Sequence, residues 1–177
     1  MELDCEIQEY KGQDQLVVKS HIAATGSATS FMPKAPWDLV VSDLKSRWQE
    51  TAAKTTEKHG EFLKSFFRNI TNPERVASFP DQDRDFENHP GSMKIHHAYT
   101  HGLLEHTVEV MEIAKDICIR MNLSERETSL AIVGAAIHDV GKLVEVDVVG
   151  AKYEQSSTCK SFGWTSNTHL YSGLIMF

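Results

Sequence analysis

The sequence predicts a mainly α-helical protein that starts with a short β-hairpin. Apolar residues recur at helical spacing over most of the chain from Trp37 onward, and two segments carry the capping signals that open helices. Strand-forming residues without helical spacing are concentrated in residues 1–30. A chain of 177 residues with a 41% hydrophobic share suits one ordinary domain with a small appendage, which excludes a wholly disordered chain.

Residues 1–30 are predicted to be extended. Residues 15–22 are rich in strand formers and follow a turn signal at residues 11–14. Because an isolated two-stranded hairpin is barely stable in water, we expect this segment to pack on something else. Residues 26–30 are typical of a linker.

Helices are predicted in the next part of the chain. The first runs from Trp37 to about Lys58, after a proline that suits a helix start, and the second covers residues 61–68. A capping-box pattern at residues 71–74 predicts a short helix to about Phe79, and residues 80–90 should form a polar connection. The apolar residues of the first two helices are Val40, Leu44, Trp48 and Ala52, then Phe62, Phe66 and Phe67.

Two longer helices follow. The first is predicted at residues 102–121, with a second capping box at residues 124–127 opening a helix that ends near Asp139. That last helix is apolar nearly all round and is expected to be buried, with Gly141 ending or bending it. Residues 147–165 show little periodicity. One face of the helix at residues 102–121 carries Leu103, His106, Val110, Ile113 and Ile117.

Charge and cysteine usage narrow the class of protein. The 18 basic and 25 acidic residues give a net charge of −7, which argues against a general nucleic-acid coating protein but not against an enzyme that grips a short nucleic acid. No apolar run reaches the roughly 20 residues of a membrane span, so no membrane association is expected. Cys5, Cys118 and Cys159 are far apart, which favours the reducing cytoplasm over a disulfide framework or a zinc knuckle.

The pair His138-Asp139 is the most informative feature. It ends an apolar helix and is followed by Gly141 and Lys142. A charge at the edge of a core is costly unless it is paired, and a divalent cation would offset that cost. The alternative is an ordinary helix C-terminus, with Gly141 as its cap and His138 hydrogen-bonded within the core.

His106 favours the metal interpretation. It lies on the apolar stripe of the preceding helix, from which it could reach His138 and Asp139 if the two helices are antiparallel neighbours. Two imidazoles and one carboxylate are half of an octahedral shell, which suits Mn, Fe, Mg, Co or Ni rather than structural zinc. Such a cation activates water and polarises a phosphoryl oxygen. Lys142 could face a phosphate, or it could be a solvated cation near a helix C-terminus.

The strings HHAYTHGLLEHT at residues 96–107 and HDVGK at residues 138–142 resemble the HD superfamily of metal-dependent phosphohydrolases. Within it, they are similar to the bacterial YhaM-type 3′-to-5′ exoribonucleases. The resemblance implies an HD-domain helical bundle at residues 91–177, a helical linker at residues 31–90, and the remnant of an OB-fold at residues 1–30. Five strands cannot be built from thirty residues, and the expected later metal ligands are missing, so we expect an incomplete HD protein truncated at both ends. The apolar ending at residues 173–177 predicts self-association into a homo-oligomer.

The resemblance also implies roles for single residues. His106, His138 and Asp139 would be metal ligands, and Asp139 and Lys142 would be catalytic, with Lys142 also binding the substrate phosphate. Two further histidines, His97 and His101, would be substrate-binding or outer-shell groups at the entrance, although the family string usually has glycine at the position of His101. His96 is interpreted as a helix-capping or solvent-facing residue.

The functional hypothesis is a metal-dependent phosphodiester hydrolase, a 3′-to-5′ exoribonuclease that acts on single-stranded RNA. One alternative keeps the enzyme class and changes the substrate to a nucleotide phosphate or a cyclic dinucleotide. The other alternative is a non-catalytic fragment that retains part of the metal site.

Overall fold

The computed structural model describes residues 2–22, 32–72, 85–149 and 152–162. The chain separates into two compact units, Met1–Phe31 and Met32–Phe177. The first unit is a β-hairpin and the second is mainly helical, so the predicted fold class is confirmed. No helix in the described part of the chain is both long and apolar enough to cross a membrane.

The hairpin consists of β1 (Glu2–Tyr10) and β2 (Gln13–Ile22), which pair antiparallel. Lys11 and Gly12 form the two-residue turn, and both have positive φ, at 54° and 77°. That combination belongs to the turn whose twist matches two antiparallel strands, and glycine adopts it without strain. The predicted turn signal therefore closes the hairpin, as expected.

Two helices open the second unit, α1 (Val41–Ala52) and α2 (Glu57–Ile70). The prediction of one helix from Trp37 to Lys58 is wrong at both ends. The hydroxyl of Thr55 donates to the carbonyl of Ala52, and extended Thr56 donates its backbone N–H to the side chain of Ser129. These contacts end α1 and change the direction of the chain after it. The prediction missed them because it rested on the spacing of apolar residues, which says nothing about polar contacts.

The inward face of α2 differs from the predicted face. The buried residues are Leu63, Phe66 and Ile70, whereas Phe62 is 45% exposed. Thr71 ends α2 by donating its hydroxyl to the carbonyl of Phe67, so its side chain is used at this end of the helix.

The short helix predicted after α2 lies outside the described residues, and so do residues 80–84 of the predicted polar connection. Residues 85–90 of that connection are not simply polar, because Phe86, His89 and Pro90 are buried.

The next two helices are α3 (Gly102–Arg120) and α4 (Glu125–Ile137), and they pack against each other. The capping box at the start of α4 is present, with the backbone N–H groups of Ser124 and Glu127 each bonded to the other residue's side chain. Helix α4 is less buried than predicted, because Leu130 is 51% exposed.

The buried face of α3 is rotated from the predicted stripe. Ile113 and Ile117 are 57% and 49% exposed, while Val110 is only partly buried. His106 is half-buried at the edge of the inward face rather than at its centre. The apolar and small residues that α3 buries are Leu103, Leu104, Thr107, Val108, Met111 and Cys118.

A compact tail follows α4. It consists of α5 (Lys142–Glu145), a hairpin of β3 (Val146–Val149) and β4 (Lys152–Gln155), and α6 (Ser157–Phe162). This hairpin was not predicted, because four-residue strands are too short to show periodicity. The apolar ending at residues 173–177 lies outside the described residues.

Candidate metal centre

The structure brings the three predicted metal ligands together. Asp139 Oδ2 lies 3.2 Å from His138 Nε2 and 3.3 Å from His106 Nε2, and the two nitrogens are 3.3 Å apart. First-row divalent cations bind such atoms at about 2.0–2.2 Å, which places neighbouring ligands about 3.0–3.4 Å apart. Three atoms in a triangle of this size therefore fit around one cation.

Helix α4 ends where the pair His138-Asp139 begins. His138 caps the helix, and its Nδ1 lies 2.7 Å from the carbonyl oxygen of Ala135. Because a carbonyl only accepts, Nδ1 carries a proton and donates it, so in the neutral imidazole the lone pair is on Nε2, which faces Asp139 and His106. Hydrogen bonding at the far nitrogen is the usual way in which a metal-binding imidazole is oriented.

Asp139 carries a negative charge in a nearly buried position, since its side chain is only 6% exposed. Burial by itself raises the pKa of this carboxyl, but hydrogen bonds from His106, His138 and Lys142 outweigh it and hold the pKa well below the usual range. Burial lowers the pKa of the His138 imidazole, but the carboxylate of Asp139 and the carbonyl of Ala135 together outweigh it and raise that pKa. The site therefore holds an ionised carboxylate, which is the form that binds a cation.

Lys142 is the first residue of α5 and lies beside this carboxylate. Its Nζ is 2.7 Å from Asp139 Oδ2 and 2.5 Å from the carbonyl oxygen of Gly91. The side chain is only 14% exposed, so the alternative of a solvated cation at a helix C-terminus is wrong. The ammonium joins the loop that contains Gly91 to the end of α4.

Two more histidines of that loop, His96 and His97, lie close to His106. The rings of His96, His97 and His106 lie 5.1–5.5 Å apart, and each of these residues offers a ligand atom within 4.8 Å of the others. His97 Nε2 lies 3.1 Å from Glu109 Oε2. His96 is exposed, as interpreted from the sequence, but its proximity to His106 was missed.

His101 lies at the start of α3, where it is the N-cap residue with a φ of 72°. Its Nδ1 is 2.7 Å from the carbonyl oxygen of Glu87, so the ring is tied to the segment before the loop. A substrate-binding role for His101 and for His97 stays a prediction.

Sequence reasoning also missed the residues that support the site. Glu105 accepts hydrogen bonds from Trp37 at 3.0 Å and Tyr99 at 2.6 Å, which connects the start of the second unit to α3. Glu109 follows His106 by three positions, and that helical spacing could have pointed to it. No pattern in the sequence singles out the contacts of His89, whose two ring nitrogens lie 2.9 and 3.1 Å from backbone carbonyls.

Comparison with known proteins gives a family match over this region. Residues 103–164 match the family model of the HD domain. This part of the chain, about a third of it, is similar to an HD domain. It contains all three residues of the triangle, whereas His96 and His97 precede it.

The curated relatives that this chain resembles include proteins named as ribonucleases. The 3′-5′ exoribonuclease YhaM of Listeria monocytogenes serotype 4b is 30% identical over 145 residues, which is 80% of this chain and 42% of that protein. The YhaM of Geobacillus sp. is 28% identical over 154 residues, 84% of this chain and 43% of that protein. Ribonuclease Y of Lactobacillus acidophilus is 31% identical over 64 residues, 36% of this chain and 11% of that protein. The chain thus spans less than half the length of the YhaM proteins that it matches, and no solved structure matches it.

Proposed function

We propose that this protein is a metal-dependent phosphodiester hydrolase that removes nucleotides from the 3′ end of single-stranded RNA. The observation that carries the proposal is the contact of one buried oxygen, Asp139 Oδ2, with two imidazole nitrogens and one ammonium. The HD domain and the names of the YhaM relatives support the reaction class.

His106, His138 and Asp139 would hold a divalent cation, and their mixed nitrogen and oxygen donors suit Mn, Fe, Mg, Co or Ni. When bound, such a cation supplies a Lewis acid for a phosphoryl oxygen and lowers the pKa of a water. The donors fit this role because Asp139 is ionised and because a neutral His138, protonated at Nδ1, would present a lone pair at Nε2.

Lys142 supplies the second element of the proposed mechanism. Its ammonium lies within 2.7 Å of Asp139 and is therefore held beside the position where a phosphodiester would react. A fixed positive charge in a partly buried site stabilises the extra negative charge that develops on phosphoryl oxygens during hydrolysis. Because Lys142 also donates to Gly91, its position depends on the loop of residues 91–101, here called the histidine loop.

We also propose that the protein acts in the cytoplasm. Its three cysteines are unpaired, and two of them, Cys118 and Cys159, are buried. Buried free thiols are typical of proteins from reducing compartments.

The test uses tag-free protein and a single-stranded RNA labelled at its 5′ end, incubated with Mn²⁺. We expect a ladder of labelled products that shorten one nucleotide at a time, and we expect EDTA to abolish it. Asp139→Asn keeps the size of the side chain but removes the charge, so the rate should fall at least 100-fold (about 3 kcal/mol).

His59→Ala is the matched control, because this histidine lies in α2 with its ring bonded to Thr56. The control should retain the wild-type rate. An unchanged rate in Asp139→Asn would reject the proposed centre. Hydrolysis of mononucleotides or cyclic dinucleotides without RNA shortening would keep the centre and reject the RNA substrate.

A further inference from the structure

We propose that the indole of Trp37 stacks on a base of the RNA strand, upstream of the phosphodiester that is cleaved at the proposed metal centre. This inference rests on the proposed function and extends it to the path that the strand follows on the protein. Trp37 precedes α1 and belongs to the same compact unit as His106, His138 and Asp139.

The side chain of Trp37 is exposed yet fixed in position. Its exposed fraction is 52%, whereas Trp48 in α1 is 2% exposed. The indole Nε1 of Trp37 donates to Oε1 of Glu105 at 3.0 Å. Glu105 is itself buried, and its other oxygen accepts from the hydroxyl of Tyr99 at 2.6 Å. Because the ring is already oriented, little conformational entropy is lost when another ring stacks on it.

A series of neighbouring rings leads from Trp37 to the metal centre. The centroid of the Trp37 ring lies 5.6 Å from that of Tyr99, which lies 5.8 Å from that of His97. The centroid of His97 lies 5.1 Å from that of His106, one of the proposed metal ligands. At a rise of about 3.4 Å per stacked nucleotide, a strand that is cleaved at the metal centre therefore reaches Trp37 within about five nucleotides.

The charges near Trp37 indicate which part of a nucleotide it binds. Asp38 adjoins it in sequence and is exposed, and a carboxylate is unfavourable beside a phosphate. Lys34 and Lys94 are also exposed, and the segment of Lys34 is tied to the histidine loop by a backbone hydrogen bond of 2.9 Å. Lysines that follow the phosphates and an aromatic ring that binds a base are the usual combination in single-strand binding. We therefore expect stacking, and not an ion pair, at Trp37.

The test measures binding of tag-free full-length protein to a short single-stranded RNA with a 5′ fluorophore, by fluorescence anisotropy in EDTA, which prevents cleavage. Trp37→Ala should weaken the affinity about 5- to 100-fold, the usual effect of losing one stacked base. Trp37→Phe should retain most of the affinity, because its ring still stacks although it cannot donate to Glu105. Phe62→Ala is the matched control, since Phe62 is a 45% exposed aromatic residue of α2, and it should bind like the wild type.

Strands that lack a single base locate the contact. In the wild type, removing one base within about five nucleotides of the 3′ end should cost as much affinity as Trp37→Ala does. The same removal should cost the Trp37→Ala variant nothing further. Because stacking releases no counterions, the ratio of the two proteins' affinities should be equal at low and at physiological salt. A purely structural role of Trp37 would weaken binding without dependence on any one base.

Equal affinity of Trp37→Ala and the wild type would overturn the inference. A loss that Trp37→Phe shares in full, or that depends on no single base, would overturn it as well. If the wild type still shortens RNA in Mn²⁺, any of these results leaves the proposed function standing. The expected binding without any shortening of RNA in Mn²⁺ would keep the stacking site and reject the proposed hydrolase. A wild type that does not bind RNA would overturn the inference, and one that neither binds nor shortens RNA would overturn both.

Discussion

Lys142 and Asp139 form an ion pair of 2.7 Å through the same carboxylate oxygen that faces both His106 and His138. The ammonium therefore lies where it partly neutralises the charge that a divalent cation would bind. In the proposed centre Lys142 would have two opposing effects, since it would weaken cation binding at Asp139 but would place a positive charge beside a bound phosphate.

Replacing Lys142 by methionine should separate these two effects. Lys142→Met should bind Mn²⁺ several-fold more tightly, because no ammonium competes for Asp139, yet its hydrolysis rate should fall about 100-fold. Without Mn²⁺ the variant should lose about 1–3 kcal/mol of unfolding free energy, since a nearly buried carboxylate loses a charged hydrogen bond. Calorimetric titration, RNA hydrolysis and urea unfolding measure the three quantities.

Lys142→Arg is the control for charge, and it should recover part of the hydrolysis rate while binding Mn²⁺ like the wild type. Equal hydrolysis rates in Lys142→Met and wild type would contradict a role of Lys142 at the phosphate.

The second prediction compares alanine substitutions at two glycines, Gly102 and Gly134. A Cβ at Gly102 would lie 2.0 Å from the carbonyl oxygen of His97, whereas a Cβ at Gly134 would meet nothing within 4 Å. Gly102→Ala should therefore displace the histidine loop and destabilise the protein by about 1–3 kcal/mol. Gly134→Ala should stabilise it by about 1 kcal/mol, because Gly134 lies inside α4.

Thermal unfolding of both variants checks this pair. A Gly102→Ala protein as stable as the wild type would mean that the close contact between α3 and the loop is not maintained in solution.

A bidentate ion pair between Arg47 and Glu112 connects helix α1 to α3. Arg47 Nε lies 2.9 Å from one oxygen of Glu112, and Nη2 lies 2.5 Å from the other. Arg47→Lys keeps the charge but cannot form both bonds, so it should cost about 0.5–1 kcal/mol of unfolding free energy. Lys64→Ala breaks a more exposed pair with Glu61 and should cause no measurable change in urea unfolding. Equal effects of the two substitutions would contradict this difference.

The triangle of His106, His138 and Asp139 could be predicted from sequence because two simple constraints meet there. An apolar helix ends on His138-Asp139, and helical spacing puts His106 near the inward face of the preceding helix. Residues 121–124 make so short a connection that α3 and α4 must be neighbours. The capping box at Ser124 sets where the second helix begins, so the contact follows from local rules.

The histidine loop could not be predicted in the same way. His97 and His101 both have positive φ, and no residue pattern signals that conformation at histidine. The inward faces of α2 and α3 were also misassigned, because Phe62 and Ile113 are apolar residues on exposed faces. Apolar spacing identifies a helix, but where apolar residues occur on several faces only packing decides which one is buried.

A last prediction concerns His89, which is buried between the carbonyl oxygens of Pro90 and Val146. Burial lowers the pKa of its imidazole, because the charged form would lose hydration, and the two carbonyls oppose this without outweighing it. The unfolded chain has the ordinary histidine pKa of about 6.5 and so binds more protons than the folded protein below that pH. The contribution of His89 to the free energy of unfolding is therefore at its full value above about pH 6.5, and it decreases as the pH falls below that value.

The variant His89→Gln tests this directly because glutamine does not titrate. The wild type should be more stable than the variant at pH 7.5, and the difference should shrink by up to about 1.4 kcal/mol for each pH unit below about 6.5. Urea unfolding at pH 7.5, 6.5 and 5.5 and constant ionic strength measures it. All other titrating groups are common to both proteins, so their contributions cancel in the difference unless they contact His89. A difference that stays constant over this range, or grows as the pH falls, would show that His89 is not buried in its neutral form.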